Sequence, residues 1–114
     1  MKDNKHLTEL EYEVLTIFCN IQSIKCPDKL SFEIIERRRD PVGFITDLYK
    51  NNASYIVKYR LPVFNMIPNA NCLEDKIKLG FLLYFDEGEI SSIEGYAVGD
   101  RWPTVEWPVR FDVW

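Results

Sequence analysis

The chain has 114 residues, of which 46% are hydrophobic and 14% aromatic, and its formal net charge is −4. This apolar content excludes a disordered chain and suffices for one buried core, so we expect a single domain over residues 1–114. No apolar run approaches the roughly 20 residues of a membrane span, and the first residues contain no apolar signal core. With three cysteines that cannot all pair with one another, these features predict a cytoplasmic protein without a membrane partner.

An amphipathic helix is predicted near the N-terminus. Thr8 and Glu11 have the spacing of a capping box, in which each side chain bonds the other residue's backbone N–H. Apolar residues then recur every three or four positions, which is the helical period: Leu10, Val14, Phe18 and Ile21. We therefore place helix 1 at about Thr8 to Ile21 and interpret Cys19, which adjoins its apolar face, as a core residue.

The middle of the chain favours strands joined by short turns. Residues 31–40 (SFEIIERRRD) are interpreted as a strand because they contain several β-formers, although a helical extension is an alternative. Residues 43–50 and 55–64 are further strand candidates, and residues 66–75 are interpreted as a loop. The basic cluster Arg37 to Arg39 is interpreted as a solvated strand end, with a phosphate site as the alternative.

A hairpin over residues 76–98 is the strongest strand signal. Its first arm, Ile77 to Phe85, is apolar on both faces, and the turn Asp86-Glu87-Gly88 suits a tight reversal. The return arm, Glu89 to Val98, is more polar, as is typical of a strand nearer an edge. We expect the two arms to be direct antiparallel neighbours.

These elements predict an α+β fold, in which the N-terminal helix packs on a four- to five-stranded, mainly antiparallel sheet. The short connections favour a meander. The helix is expected to cover one face of this sheet.

Acidic charge is concentrated in the last quarter of the chain. Residues 86–114 contain seven acidic and two basic side chains, whereas residues 1–85 contain 11 acidic and 12 basic ones. Such a patch repels nucleic acid and attracts a basic partner, although ordinary solubilising charge is the alternative.

The C-terminal stretch adds aromatic side chains to this charge, since all three tryptophans lie within residues 100–114. Alternating apolar and polar residues predict an edge strand interrupted by Pro108. The tryptophans either close the core or form an interface in which one indole acts as an anchor. In the second case the partner-binding residues are Asp86, Glu87, Glu89, Asp100, Trp102, Glu106, Trp107, Asp112 and Trp114.

Several glycines and aromatic residues resemble the pattern of a family of small bacterial cytosolic α+β proteins. The matching positions are Gly43-Phe44, Gly80 to Tyr84, Gly88, Ile90, Ile93 to Tyr96 and Trp102-Pro103. Small acidic α+β proteins of this kind often serve as immunity proteins, which inhibit a toxin delivered by a neighbouring cell. By this analogy of size, charge and fold type, we expect a basic protein partner such as a toxin domain. The resemblance itself carries no catalytic residues with it.

The sequence contains few of the residue types and spacings that catalytic sites usually need. His6 is the single histidine and lies in the polar lead, so a nucleophile–histidine pair is not expected, and neither a cofactor nor a metal site is predicted. Glu94, flanked by apolar residues, could be a partly buried carboxylate, or it could face solvent or pair with a basic neighbour. We therefore expect a non-enzymatic binding module; a small enzyme or ligand-binding domain with a pocket between helix and sheet is the alternative. A homodimer through the C-terminal edge is compatible with either.

Overall fold

The computed structural model describes residues 5–23, 25–49, 64–72, 77–86, 89–99, 101–104, 107 and 109–111, with residues 64–72 and 110 described by their backbone alone. Helix α1 spans Glu9–Ile21, and a 3₁₀ turn spans Lys29–Ser31. The strands are β1 (Ile34–Asp40), β2 (Gly43–Leu48), β3 (Phe64–Cys72), β4 (Lys78–Asp86), β5 (Glu89–Ala97) and β6 (Val109–Phe111).

Helix α1 begins at the predicted capping box. The Thr8 hydroxyl accepts a hydrogen bond from the Glu11 backbone N–H at 3.1 Å, and the Glu11 carboxylate accepts one from the Thr8 backbone N–H at 2.8 Å. Both bonds satisfy donors that the first helical turn leaves without intrahelical partners. The predicted helix is therefore confirmed.

The described strands form one antiparallel sheet in the order β1-β2-β5-β4-β3-β6. The predicted α+β class, with an N-terminal helix on an antiparallel sheet, is confirmed. The described part of the sheet has six strands, one more than the largest number predicted. Only β3, β4 and β5 follow one another as a meander, because β2 pairs with β5 and so brings the β1–β2 hairpin against the far side of the central pair.

The helix covers one face of the sheet, which we call the inner face. The ring of Phe18 on α1 lies 5.0 Å from that of Phe85 on β4. The core between the two layers is almost fully buried, and its largest enclosed side chains are Phe18, Phe32, Phe81, Leu10, Leu15, Leu79, Leu83, Ile90 and Ile93. The described side chains that pack between helix and sheet are therefore mainly apolar.

The predicted hairpin is confirmed, but its environment differs from expectation. Strands β4 and β5 pair from Leu79 with Ala97 to Asp86 with Glu89. However, β5 lies between β2 and β4 and is not near an edge. Its polar residues have another cause: Ser92 and Glu94 point to the outer face of the sheet, opposite the helix, so they need no burial in the core.

The predicted loop at residues 66–75 is wrong for residues 66–72, which belong to β3. The loop was predicted partly because the segment contains Pro68, and proline donates no ladder hydrogen bond. In the structure it falls where the pairing of β3 with β4 shifts register, between Ile67 and Ala70, and before the pairing with β6 starts at Ala70. Its missing N–H therefore breaks no regular ladder. The strand predicted at residues 55–64 lies outside the described residues except for Phe64, the first residue of β3.

One member of the basic cluster is buried, so the solvated-end interpretation is wrong for Arg37. Its guanidinium donates to both oxygens of Glu11, at 2.5 and 3.0 Å, and the two side chains are 9% and 1% exposed. The Thr46 hydroxyl also donates to Glu11. This ion pair joins the first turn of α1 to β1 and β2. Arg38 and Arg39 are exposed as predicted.

No helix in the described part of the chain combines the length and the apolar character needed to cross a bilayer.

Candidate functional site: the outer acidic face

The outer face of the sheet presents the side chains that alternate with the core-facing ones. In β4, for example, Leu79, Phe81 and Leu83 are fully buried. Leu82 and Tyr84, which alternate with them, are half-buried. The strand pairing extends this alternation across the sheet and brings ionisable residues of four strands to one surface. We call it the outer acidic face, and its charged members are Glu36, Arg38, Asp40, Asp47, Lys78, Asp86, Glu89 and Glu94.

Among the side chains that the structure describes, this face has six acidic and two basic ones, a balance of −4. Half of its acidic residues belong to the acidic C-terminal quarter of the sequence. The other three come from the β1–β2 hairpin, which sequence reasoning did not include in the patch. The pairing of β2 with β5 combines the two sets, because Ile45 lies opposite Glu94 and Asp47 opposite Ser92.

Asp47 is held between two strands by side-chain bonds. One carboxylate oxygen accepts from Arg38 of β1 at 3.0 Å, and the other accepts from the Ser92 hydroxyl of β5 at 2.8 Å. Arg38 also lies 3.8 Å from Glu36 on its own strand. These contacts orient the polar side chains on this part of the face.

Glu94 is half-buried at the centre of the face and is bonded to a tyrosine. The Tyr84 hydroxyl of β4 donates to its carboxylate at 2.8 Å. This hydrogen bond, followed by burial and the charge of Glu94, raises the pKa of Tyr84 above its usual value of 10.0. The bond therefore holds Tyr84 as a neutral donor, and it fixes the direction of one of the two oxygens of Glu94.

A shallow pocket of about 270 Å³ opens beside Glu94. Gly43 is part of its lining and lies in register between Asp40 of β1 and Tyr96 of β5, so the row of side chains is interrupted there. Arg38, Ile45 and Glu94 also line it. Asp40 and Glu94 supply carboxylates and Tyr96 a ring that a lysine or arginine side chain can contact. Arg38 and Arg39 also line the pocket, so its lining carries equal numbers of positive and negative side chains.

The predicted partner-binding residues do not all lie together. Asp86 and Glu89 are paired across β4 and β5 on the outer acidic face. Trp102 is half-buried elsewhere, packed edge-on against Phe44 at 5.2 Å and Phe81 at 6.2 Å, so its indole closes the inner-face core. Trp107 is 38% exposed. The remaining five lie outside the described residues: Glu87, Asp100, Glu106, Asp112 and Trp114.

The C-terminal edge strand agrees in part with the prediction. Strand β6 starts directly after Pro108 and pairs with the end of β3, with Val109 opposite Cys72. Val109 is buried, and Phe111 is half-buried with its ring 5.8 Å from that of Phe81. The described aromatic residues of this segment thus divide between the core and the surface.

A second and larger cavity, of about 520 Å³, lies at the end of the sheet where β1 turns into β2. Arg39 and Arg101 line it together with Trp102, Pro103 and Thr104. The segment after β5 is held there by a bond from the Trp102 N–H to the Pro41 carbonyl at 2.9 Å. The carboxylate of Asp40 also lines the cavity and offsets one of the two guanidinium groups. The remaining positive charge beside the indole suits an anion that carries an apolar part.

Comparison of the chain with protein-family models, with curated proteins and with solved structures gives no match.

Proposed function

We propose that this chain is a non-enzymatic binding module of the immunity type, which neutralises a bacterial toxin in the cytoplasm by binding it through the outer acidic face. The observation that carries the proposal is the assembly of six acidic side chains from β1, β2, β4 and β5 on one face of the sheet. A basic partner approaching this surface meets more acidic than basic side chains. Electrostatic attraction of this kind raises association rates and excludes partners of like charge.

The centre of the face offers the contacts that a complex needs for a slow dissociation. Ile45, Leu82, Tyr84 and Tyr96 are half-buried among the charged residues. Tyrosine combines a large apolar ring with a polar end and is common among residues that dominate interface energies. The pocket beside Glu94 is the position where we expect a lysine or arginine of the partner to insert.

The bonds already present on the face favour recognition with little rearrangement. Asp47 and Glu94 are each oriented by a neighbouring hydroxyl, from Ser92 and from Tyr84, at 2.8 Å. Because these side chains are ordered before binding, the complex loses less conformational entropy when it forms.

The proposal is tested with the product of the neighbouring gene as the probe. Association and dissociation rates are measured by surface plasmon resonance at low ionic strength and at ~0.15 M, where the Debye length falls to ~8 Å. We expect Glu36→Lys and Asp86→Lys each to lower the association rate constant by roughly tenfold at low salt and to flatten its salt dependence. Trp107→Ala distinguishes a contribution of the C-terminal segment, because loss of an anchor accelerates dissociation instead.

Asp28→Lys is the matched control. It makes the same change of charge at an exposed residue on the loop that packs along α1, where the Tyr12 hydroxyl bonds the Pro27 carbonyl. We expect its association rate constant to stay within about twofold of the original. An equal loss for all three charge variants would show that net charge, and not this face, controls association. Unchanged binding of the Glu36 and Asp86 variants, or no binding of the neighbouring gene's product by the original chain, would reject the proposal.

A second candidate function is the binding of a small anion in the 520 Å³ cavity. Its volume lies in the range of small-molecule sites, roughly 300–1,000 Å³, and Arg39 and Arg101 supply positive charge. Inorganic phosphate and adenosine monophosphate are suitable probes, with the Trp102 indole N–H signal followed by nuclear magnetic resonance. A saturable shift that is lost in Arg101→Ala would favour this function, and its absence with both probes would exclude these ligand types.

A further inference from the structure

The segment that follows α1 brings a second cysteine back to the helix. Ser23 has a left-handed backbone conformation, with φ of 55°, and its N–H donates to the Asn20 carbonyl. The chain reverses there, so that Cys26 packs against the hydrophobic core to which Cys19 belongs, and each thiol shifts the pKa of the other. Cys19 is fully buried, whereas Cys26 is half-buried and accessible from solvent.

One stripe of α1 holds this reversed segment in place. Tyr12, Thr16 and Cys19 follow one another at helical spacing, so their side chains lie along one side of the helix. The Tyr12 hydroxyl donates to the carbonyl of Pro27, the residue after Cys26, at 2.8 Å. This bond ties the backbone next to the cysteine to the helix.

The two thiols have different acidities because of this arrangement. The hydrogen bond from Cys19 lowers the pKa of Cys26 to about 7, although burial opposes the change. The same bond, together with burial, raises the pKa of Cys19. Tyr12 and Thr16 also lie within reach of Cys26, but each hydroxyl has one proton and already donates it to a backbone carbonyl, at 2.8 and 2.9 Å. Cys19 is therefore the main donor to the Cys26 sulfur.

We propose that Cys19 and Cys26 form a reversible redox pair that is oxidised by hydroperoxides. The Cys26 thiolate attacks the O–O bond of the peroxide, forms a sulfenic acid and releases hydroxide, or alkoxide from an organic peroxide. The Cys19 thiol then condenses with this sulfenic acid, so that an S–S bond forms and water leaves. A thiol reductant returns both cysteines to the starting state. An accessible thiolate beside a second cysteine that resolves it is the arrangement found in peroxide-sensitive proteins.

This inference is independent of the proposed binding function. Cys19 belongs to α1, which covers the inner face of the sheet, and Cys26 lies in the segment that follows the helix. None of the residues of the outer acidic face takes part. A disulfide here would tie the last turn of α1 to the segment that leads into β1.

Peptide mapping of the intact chain tests the pair directly. Trypsin cleaves after Lys25, between the two cysteines, so Cys19 is released in peptide 6–25 and Cys26 in peptide 26–29. After treatment with hydrogen peroxide and blocking of free thiols, we expect these two peptides to be joined, with the loss of two hydrogens, and to separate after reduction with dithiothreitol. In Cys19→Ser we expect Cys26 to remain a sulfenic acid that dimedone traps, and in Cys72→Ser, the matched control, we expect the link to form as before.

The rate of alkylation gives a second readout that does not depend on a variant. At pH 7 about half of the Cys26 side chains are thiolate, compared with a few per cent for an ordinary cysteine, so iodoacetamide should modify Cys26 roughly tenfold faster than an unperturbed thiol. The rate should rise with pH to a plateau, with its midpoint near 7. Three results would overturn the proposal: no link between the two peptides, a link that involves Cys72 equally, or alkylation of Cys26 at the rate of an ordinary thiol.

Discussion

The buried pair of Glu11 and Arg37 gives the sharpest test of how the helix is attached to the sheet. Glu11 accepts hydrogen bonds from the Thr8 backbone, from two nitrogens of Arg37 and from Thr46, and it is 1% exposed. Removing one partner of such a pair leaves the other charge buried, which costs about 3–5 kcal/mol. We expect Arg37→Met to lower the free energy of unfolding by that amount. Glu11→Met should cost at least as much, because Thr8 and Thr46 also lose their acceptor.

The double variant separates the pair from the packing around it. Removal of both charges leaves neither unpaired, so the combined loss should be smaller than the sum of the two single losses by about 3 kcal/mol. Since a domain of this size has roughly 5–15 kcal/mol of total stability, the single variants are measured by urea unfolding at low temperature, with the slope m checked for constancy.

Arg38→Met is the control for this cycle. It changes the same residue type one position along β1, but Arg38 lies on the outer face with a side chain that is 57% exposed and paired with Asp47. A solvated pair contributes only about 0–1 kcal/mol. Single losses below about 1 kcal/mol at Glu11 and Arg37, or losses that add to within ~0.5 kcal/mol, would refute the inference that this pair is dry and coupled.

Two further predictions concern the sheet itself. Gly43→Ala should lower the free energy of unfolding, measured in urea, more than Gly80→Ala. The new Cβ would lie 2.0 Å from a backbone oxygen in the first variant and 2.3 Å from the movable ring of Tyr96 in the second. Equal losses would contradict this account. Above pH 10 the stability contributed by Tyr84 should decline as pH rises towards its raised folded-state pKa, since only the unfolded chain then gains from ionisation. Tyr84→Phe should remove that part of the alkaline loss, and identical pH curves from 8 to 11 for the two proteins would contradict it.

The features of the fold that the sequence predicted correctly and those that it missed differ in how far apart the interacting residues lie in the chain. The capping box joins residues three apart, and the β4–β5 hairpin closes over a few residues, so both follow from local propensity and turn chemistry. The sequence assigned all three arginines of the cluster Arg37 to Arg39 to a solvated strand end. It could not show that Arg37 is buried, since its partner Glu11 lies 26 residues away on the helix.

The candidate site shows the same division. Asp86 and Glu89 were predicted from the local density of acidic charge, and they do lie together. Glu36, Asp40 and Asp47 were not included, because they belong to a segment whose sequence is rich in arginine and which joins the face only through pairing with β5. Trp102 was included in the predicted interface and follows the charged residues Asp100 and Arg101 in the chain. Its indole nevertheless packs on Phe44 and Phe81.

The sequence by itself therefore determined the class of the fold, the start of the helix and the central hairpin. These depend on interactions between residues that are close in the chain, where propensity and period act without knowledge of the remaining elements. Only the tertiary structure decided which strands are neighbours, which charged side chains share a face and which cysteines meet. Strand order is set by long-range burial and pairing, so residues such as Asp47 and Ser92, 45 positions apart, come into contact only once the whole sheet has formed.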